Sequence, residues 1–187
     1  MTPLLAAALE LQGFFEARNW PFCIIGGIAL LRWGTPRFTR DVDVALLTGF
    51  GEEDRFIGPL LEAPYRPRIA DAAGFARRSR VLLLETSTGV PLDISLAALP
   101  YESLSIERSS LFVFERGCNL RTCSAEDLVV QKLFALRPQD ILDAESVVAC
   151  SHGRLDWFYI ETQLAPLAEI KADPAIMVHF NRLKAAT

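Results

Sequence analysis

Apolar side chains recur at helical spacing over residues 3–18 (Leu4, Leu5, Ala8, Leu11, Phe14, Phe15), which predicts an opening helix that ends before Asn19 and Pro21. A short apolar run at 22–25 reads as a buried strand, and Gly26-Gly27 opens a second helix that runs to Trp33-Gly34. Residues 42–47 form the next strand, closed by the turn signal Thr48-Gly49-Phe50-Gly51 and followed by a helix from 52 to 62. The stretch 64–80 reads as irregular and arginine-rich. Two apolar runs, 81–85 and 90–96, flank Ser87-Thr88-Gly89 and predict an antiparallel hairpin. Weaker strand patterns lie at 110–114 and 119–122, on either side of Gly117.

From Ser124 the pattern turns helical. Ser124 is placed to cap a helix with Glu126 and Asp127 in its first turn, and Pro138 suits the start of the next, which runs to about residue 149. A long aromatic helix over 155–171, with a kink expected at Pro166, and a short one over 174–185 complete the chain. The organisation is α+β: a mixed β-sheet with helices over residues 1–122, then a helical C-terminal region, 123–187, expected to pack on that core.

Composition narrows the function classes. Of 187 residues, 51% are apolar, so the chain has material for a dense core or for a patch that a partner covers. No apolar run reaches the ~18 residues that would span a membrane, and the N-terminus lacks the basic start of a signal peptide. A cytoplasmic protein without a membrane partner is expected. The net charge of -4 offers no global attraction to nucleic acid, although Arg66, Arg68, Arg77, Arg78 and Arg80 form a local basic cluster. Cys23, Cys118, Cys123 and Cys150 lack CxxC spacing and are read as reduced thiols rather than zinc ligands. With His152 and His179 alone, histidine-centred acid–base chemistry has little to work with.

Carboxylates and glycines supply the chemistry instead. Successive strand residues point to opposite faces, so Asp41 and Asp43 share one face while Val42 and Val44 enter the core. Two carboxylates on one face repel unless a cation lies between them, and Mg²⁺ takes hard oxygens from carboxylates and phosphates. Gly26-Gly27 sits at a strand-to-helix junction, where backbone N–H groups and the helix dipole attract anions. A third acid, Asp93, interrupts the apolar strand 90–96. A metal, a basic partner or exposure at a cleft must account for it, because unpaired burial of a charge is costly.

Gly-Gly after a strand, Asp-x-Asp on the next strand and a lone Asp on a later one resemble the nucleotidyltransferase superfamily, with its polymerase-β-like fold. More closely, Gly26-Gly27-Ile28-Ala29-Leu30 with Arg37-Phe38-Thr39-Arg40-Asp41-Val42-Asp43 resembles the AbiEii-type nucleotidyltransferase toxins of type IV toxin–antitoxin systems and their relatives. A helical block, Lys132 followed by Arg137, Asp140 and Asp143, matches the same group. Ile28 departs from the wider superfamily, where serine is frequent after the glycines.

The resemblance implies a nucleotidyltransferase-like sheet and a Mg²⁺-dependent enzyme, with Mn²⁺ as the alternative ion. Such an enzyme moves a nucleoside monophosphate from an NTP to an acceptor hydroxyl. Asp41 and Asp43 would hold the metal, and Asp93 would bind a second ion or deprotonate the acceptor. Gly26 and Gly27 would cradle phosphates, and Lys132 would neutralise triphosphate charge. Arg37 and Thr39 would touch phosphate or hold the loop before the strand, while Asp140 and Asp143, on one helix face, would orient Lys132 or Arg137 or stand as a solvated acidic face. The implied acceptor is tRNA, another RNA or a protein, and the implied partner a cognate antitoxin. An aminoglycoside-type small-molecule transferase and a catalytically inactive nucleotide-binding or regulatory module are the alternative readings.

Overall fold

The structure is a computed structural model and describes residues 1–186. The chain forms two compact units: Met1–Ile28 with Phe38–Cys123, and Ala29–Arg37 with the chain from Ser124 onward.

The first unit is built on a mixed seven-stranded sheet. In chain order its elements are α1 (Pro3–Glu16), β1 (Phe22–Ile24), the start of α2 (Gly26–Trp33), β2 (Val42–Leu47), α3 (Asp54–Glu62), β3 (Arg66–Pro67), α4 (Ala72–Ser79), β4 (Val81–Glu85), β5 (Pro91–Ala97), α5 (Pro100–Glu107), β6 (Ser110–Glu115) and β7 (Cys118–Thr122). The strand order is β3-β4-β5-β2-β1-β7-β6. β2 runs antiparallel to β1 but parallel to β5, and β4 and β5 form the expected hairpin with Gly89 at φ 79° in its turn. Mixed pairing in the middle of the sheet, with helices in the same unit, bears out the α+β class.

Alternation decides which way each strand faces. Val42, Val44, Leu92 and Ile94 are fully buried, whereas Asp43 and Asp93 between them are half-buried. The buried face joins Leu82 and Leu84 of β4 with Leu11 and Phe15 of α1 in one core. Gln12 of α1 binds β7 through its side-chain amide: Nε2 donates to Asn119 O at 3.1 Å, and Oε1 accepts from Arg121 N at 2.9 Å.

Residues 64–80, expected to be irregular, hold β3 and α4 instead. Asp71 starts α4 by accepting from Gly74 N at 3.0 Å, Ala72 and Ala76 bury its inner face, and Arg80 ends it at φ 57°. The helix is only eight residues long and its inward residues are alanines, so its apolar stripe is short and easily overlooked beside the arginines. α5 is likewise marked by its cap rather than by a stripe: Glu102 Oε2 accepts from Ala98 N and Leu99 N at 2.7 and 2.8 Å.

The second unit is helical: the remainder of α2, then α6 (Ala125–Ala135), α7 (Pro138–Ser151), α8 (Trp157–Lys171) and α9 (Ala175–Ala185). Ser124 Oγ accepts from Asp127 N at 3.1 Å and caps α6 as its position suggested. α8 is assigned as one helix through Pro166. No helix among the described residues is long and apolar enough to cross a membrane.

Candidate active site

The site grows from the end of β1. Ile25 N donates to Asp43 O at 2.9 Å, which brings the strand-to-helix junction against β2. The next residue, Gly26, takes φ 60° and opens α2. A Cβ there would fall on the Asp43 side chain, 2.6 Å from its carboxyl carbon, so both the backbone angle and the space require glycine. At Gly27 a Cβ would lie 2.6 Å from Thr39 Cβ. Thr39 uses that space: packed over Gly27, it donates from Oγ1 to Asp41 Oδ1 at 3.0 Å. The loop before β2 thus orients the first acid of the Asp-x-Asp pair.

Parallel pairing of β2 with β5 places Asp43 directly opposite Asp93. Asp41 lies two residues before Asp43, on the same face. One carboxylate oxygen from each of Asp41, Asp43 and Asp93 lies within 4.8 Å of the others, and all three residues are half-buried. Asp93 feels this crowding. Burial first, then the Asp41 charge, raises its pKa, while Arg68 opposes both. Arg68 Nη2 donates to Asp93 Oδ1, and its backbone N–H is tied to Leu83 O at 3.1 Å. Three hard carboxylate oxygens converging beside a glycine-lined helix start are the donor set that Mg²⁺ or Mn²⁺ prefers, so the residues fit the implied ion.

Arg37 and Lys132 belong to the second unit, where they meet around two acids. Lys132, 7% exposed at its side chain, donates to Asp140 Oδ1 at 2.9 Å and lies 2.8 Å from Asp143 Oδ2. Arg37 forks onto both oxygens of Asp143 at 2.8 Å, and Arg137 pairs with Asp140 at 2.5 Å. Burial alone would raise both acids. Hydrogen bonds from Arg37 and Lys132 hold Asp143 far below the usual carboxylate range, and those from Arg137 and Lys132 hold Asp140 below it. Asp140 and Asp143 therefore orient Lys132 and its arginine neighbours; they are not a solvated acidic face.

The arginine cluster has a similar outcome within the first unit. Arg68 pairs with Asp93, Arg77 with Asp54, Arg78 with Asp71 and Arg80 with Glu53, so four of its five members have a carboxylate partner. Arg68 is the site residue that sequence reasoning missed. A basic partner for Asp93 was an open alternative, but the chain separates the two by 25 residues and gives no sign which arginine it would be.

Comparison with known proteins identifies the family. The family model for the nucleotidyl transferase AbiEii toxin of type IV TA systems matches residues 17–145. No curated protein is similar enough to match. Among solved structures, the chain is similar to an antigenic nucleotidyltransferase-like protein from Paracoccidioides brasiliensis, at 17% identity and TM-score 0.51, over 95% of this chain and 91% of that one. It is also similar to ANT(2'')-Ia in complex with adenylyl-2''-tobramycin, at 18% identity and TM-score 0.57, over 89% and 98% of the two chains. The lincosamide antibiotic adenylyltransferase LnuA, lincomycin-bound, shares 15% identity at TM-score 0.50, over 74% and 92%. At such identities the likeness is one of fold. The family match covers well over half of the chain and contains Gly26, Gly27, Asp41, Asp43 and Asp93, and the protein belongs to the AbiEii nucleotidyl transferase family of enzymes.

Proposed function

We propose that the protein is a Mg²⁺-dependent nucleotidyltransferase that moves a nucleoside monophosphate from an NTP to a hydroxyl of tRNA or other RNA, or of a protein, as the toxin-like member of a pair with a cognate antitoxin. The observation that carries the metal-dependent reading is the in-register placement of Asp43 opposite Asp93, with Asp41 oriented by Thr39. The family match supports the toxin part.

In the reaction, the acceptor oxygen forms a bond to the α-phosphorus as the α–β bridging P–O bond breaks. Pyrophosphate leaves with that electron pair. Asp41 and Asp43 would hold Mg²⁺, or Mn²⁺ in its place. Asp93 would be a further ligand or take the acceptor's proton. Divalent ions, when bound, would supply positive charge for the phosphoryl oxygens. Gly26 and Gly27 would cradle phosphate oxygens at the start of α2, a helix with no acid in its first turn.

A small-molecule acceptor of the aminoglycoside kind is the second reading. A net charge of -4 and the pairing of four clustered arginines with carboxylates support a cationic acceptor. One experiment separates the readings. Each labelled NTP is incubated with the protein and Mg²⁺, in parallel with total tRNA, whole-cell protein and a panel of aminoglycosides. The Asp41→Asn/Asp43→Asn variant serves as control, and we expect it to lose at least ~100-fold of the transfer rate. Label on RNA or protein from the wild type alone supports the toxin-like reading; label on a drug supports the second. If no NTP binds and nothing is labelled, both readings fall, and a catalytically inactive module remains. Growth arrest on expression, abolished by Asp43→Asn, is the corresponding test in cells.

A further inference from the structure

Arg68 has a placement that the metal-site reading does not use. Its N–H bond to Leu83 O continues the β3–β4 ladder by one residue beyond Pro67↔Leu84. Leu83 pairs with Asp93, and Asp93 with Asp43. Arg68, Leu83, Asp93 and Asp43 therefore form one row across neighbouring strands, with their side chains on one face. From the far end of that row the Arg68 guanidinium reaches over Leu83 and donates to Asp93 Oδ1. The oxygen it uses belongs to a carboxylate that would also have to face a cation.

We propose that Arg68 is a positioning residue that competes with divalent cations for Asp93 and so weakens the site for a bare ion. The inference rests on the metal-dependent reading above. A guanidinium stays protonated at any pH the protein meets, so it yields Asp93 only by moving away or by sharing it. Movement is open to it, because Arg68 and Asp93 are 28% and 31% exposed at their side chains. A divalent ion entering between Asp41, Asp43 and Asp93 meets this fixed positive charge as well as three negative ones. Neutralising the arginine removes the repulsion and releases Asp93 to the ion. A purely structural arginine would have the opposite signature, since its loss would loosen β3 and blur the site.

Mn²⁺ titration of the nucleotide-free protein, followed by the loss of the free-ion electron paramagnetic resonance signal, reads this directly. Arg68→Gln is expected to bind Mn²⁺ about fivefold more tightly than wild type, the scale of a partly exposed ion pair. Arg68→Lys keeps the charge and is expected to stay near wild type. Arg77→Gln makes the same change in net charge at a residue paired with Asp54 and is also expected to stay near wild type. Equal or weaker Mn²⁺ binding by a folded Arg68→Gln variant, with circular dichroism and thermal midpoint unchanged, overturns the proposal. An equal gain in Arg77→Gln overturns it too, because net charge alone would then explain the effect. If wild type binds Mn²⁺ and only the Arg68 effect is missing, the metal site stands without this role. If wild type binds none, the metal reading fails and the proposal falls with it.

Discussion

Gly26 joins two demands on one residue, a left-handed backbone at φ 60° and an Asp43 carboxylate where a side chain would be. In Gly26→Ala the first demand costs about 1–2 kcal/mol. The second displaces a proposed metal ligand, so the loss should appear in function beyond its effect on stability. Expected outcomes are a thermal midpoint a few degrees lower and Mn²⁺ affinity reduced about tenfold or more. Gly58 is the internal contrast: it lies inside α3 at an ordinary φ with open space at its Cβ position. Gly58→Ala should raise stability by up to about 1 kcal/mol and leave Mn²⁺ binding unchanged. If both variants change ion binding alike, the close approach of Gly26 to Asp43 is not what matters there. Thr39 acts at the same scale, as the hydroxyl that fixes Asp41 from its seat over Gly27.

Single elements show what linear sequence can and cannot carry. α4 depends on its cap, because Ala72 and Ala76 offer it little burial; Asp71→Ala should cost about 1 kcal/mol, visible as a lower urea midpoint at unchanged m. That dependence is also why the helix was illegible at 64–80, where short length, small inward residues and many arginines leave only a faint 3.6-residue stripe. β2 and β5 were legible for the opposite reason. Each alternates large apolar residues with an acid, and a half-buried strand is the only regular element that accommodates such alternation. The acids themselves could be read as candidates, but their partnership could not. Register between β2 and β5 depends on a crossover through α3, β3, α4 and β4, and nothing local to Asp43 points to Asp93. In the helical unit, i,i+3 spacing placed Asp140 and Asp143 on one face. Their burial against Lys132 and Arg37 is a tertiary fact with no sequence signal of its own.

At the scale of the whole molecule, two kinds of cohesion serve the two units. The first rests on an apolar core that joins sheet and helices, whereas the second also encloses a charged network of Arg37, Lys132, Asp140 and Asp143. Asp140 and Asp143 are each 2% exposed at their side chains, so removing the Asp143 carboxylate takes an ion-pair partner from Arg37 and leaves buried Lys132 with Asp140 as its compensating charge. Asp143→Asn is expected to destabilise the protein by about 3–5 kcal/mol at pH 7, measured by urea denaturation. The sign of the pH dependence follows from linkage. Both acids have folded pKa values below the unfolded value of about 3.9. The unfolded chain therefore binds protons first as pH falls, and the stability these groups supply is complete above that value and lost on the way down through the folded ones. Each such group adds a slope of up to about 1.4 kcal/mol per pH unit within that window. The wild type should consequently lose stability steeply below pH 4, while Asp143→Asn, less stable at neutral pH, should lose it less steeply. Parallel curves for the two proteins between pH 4 and 2 would mean that Asp143 does not hold its charge through Arg37 and Lys132, and that its ion pairs add nothing to the cohesion of the helical unit.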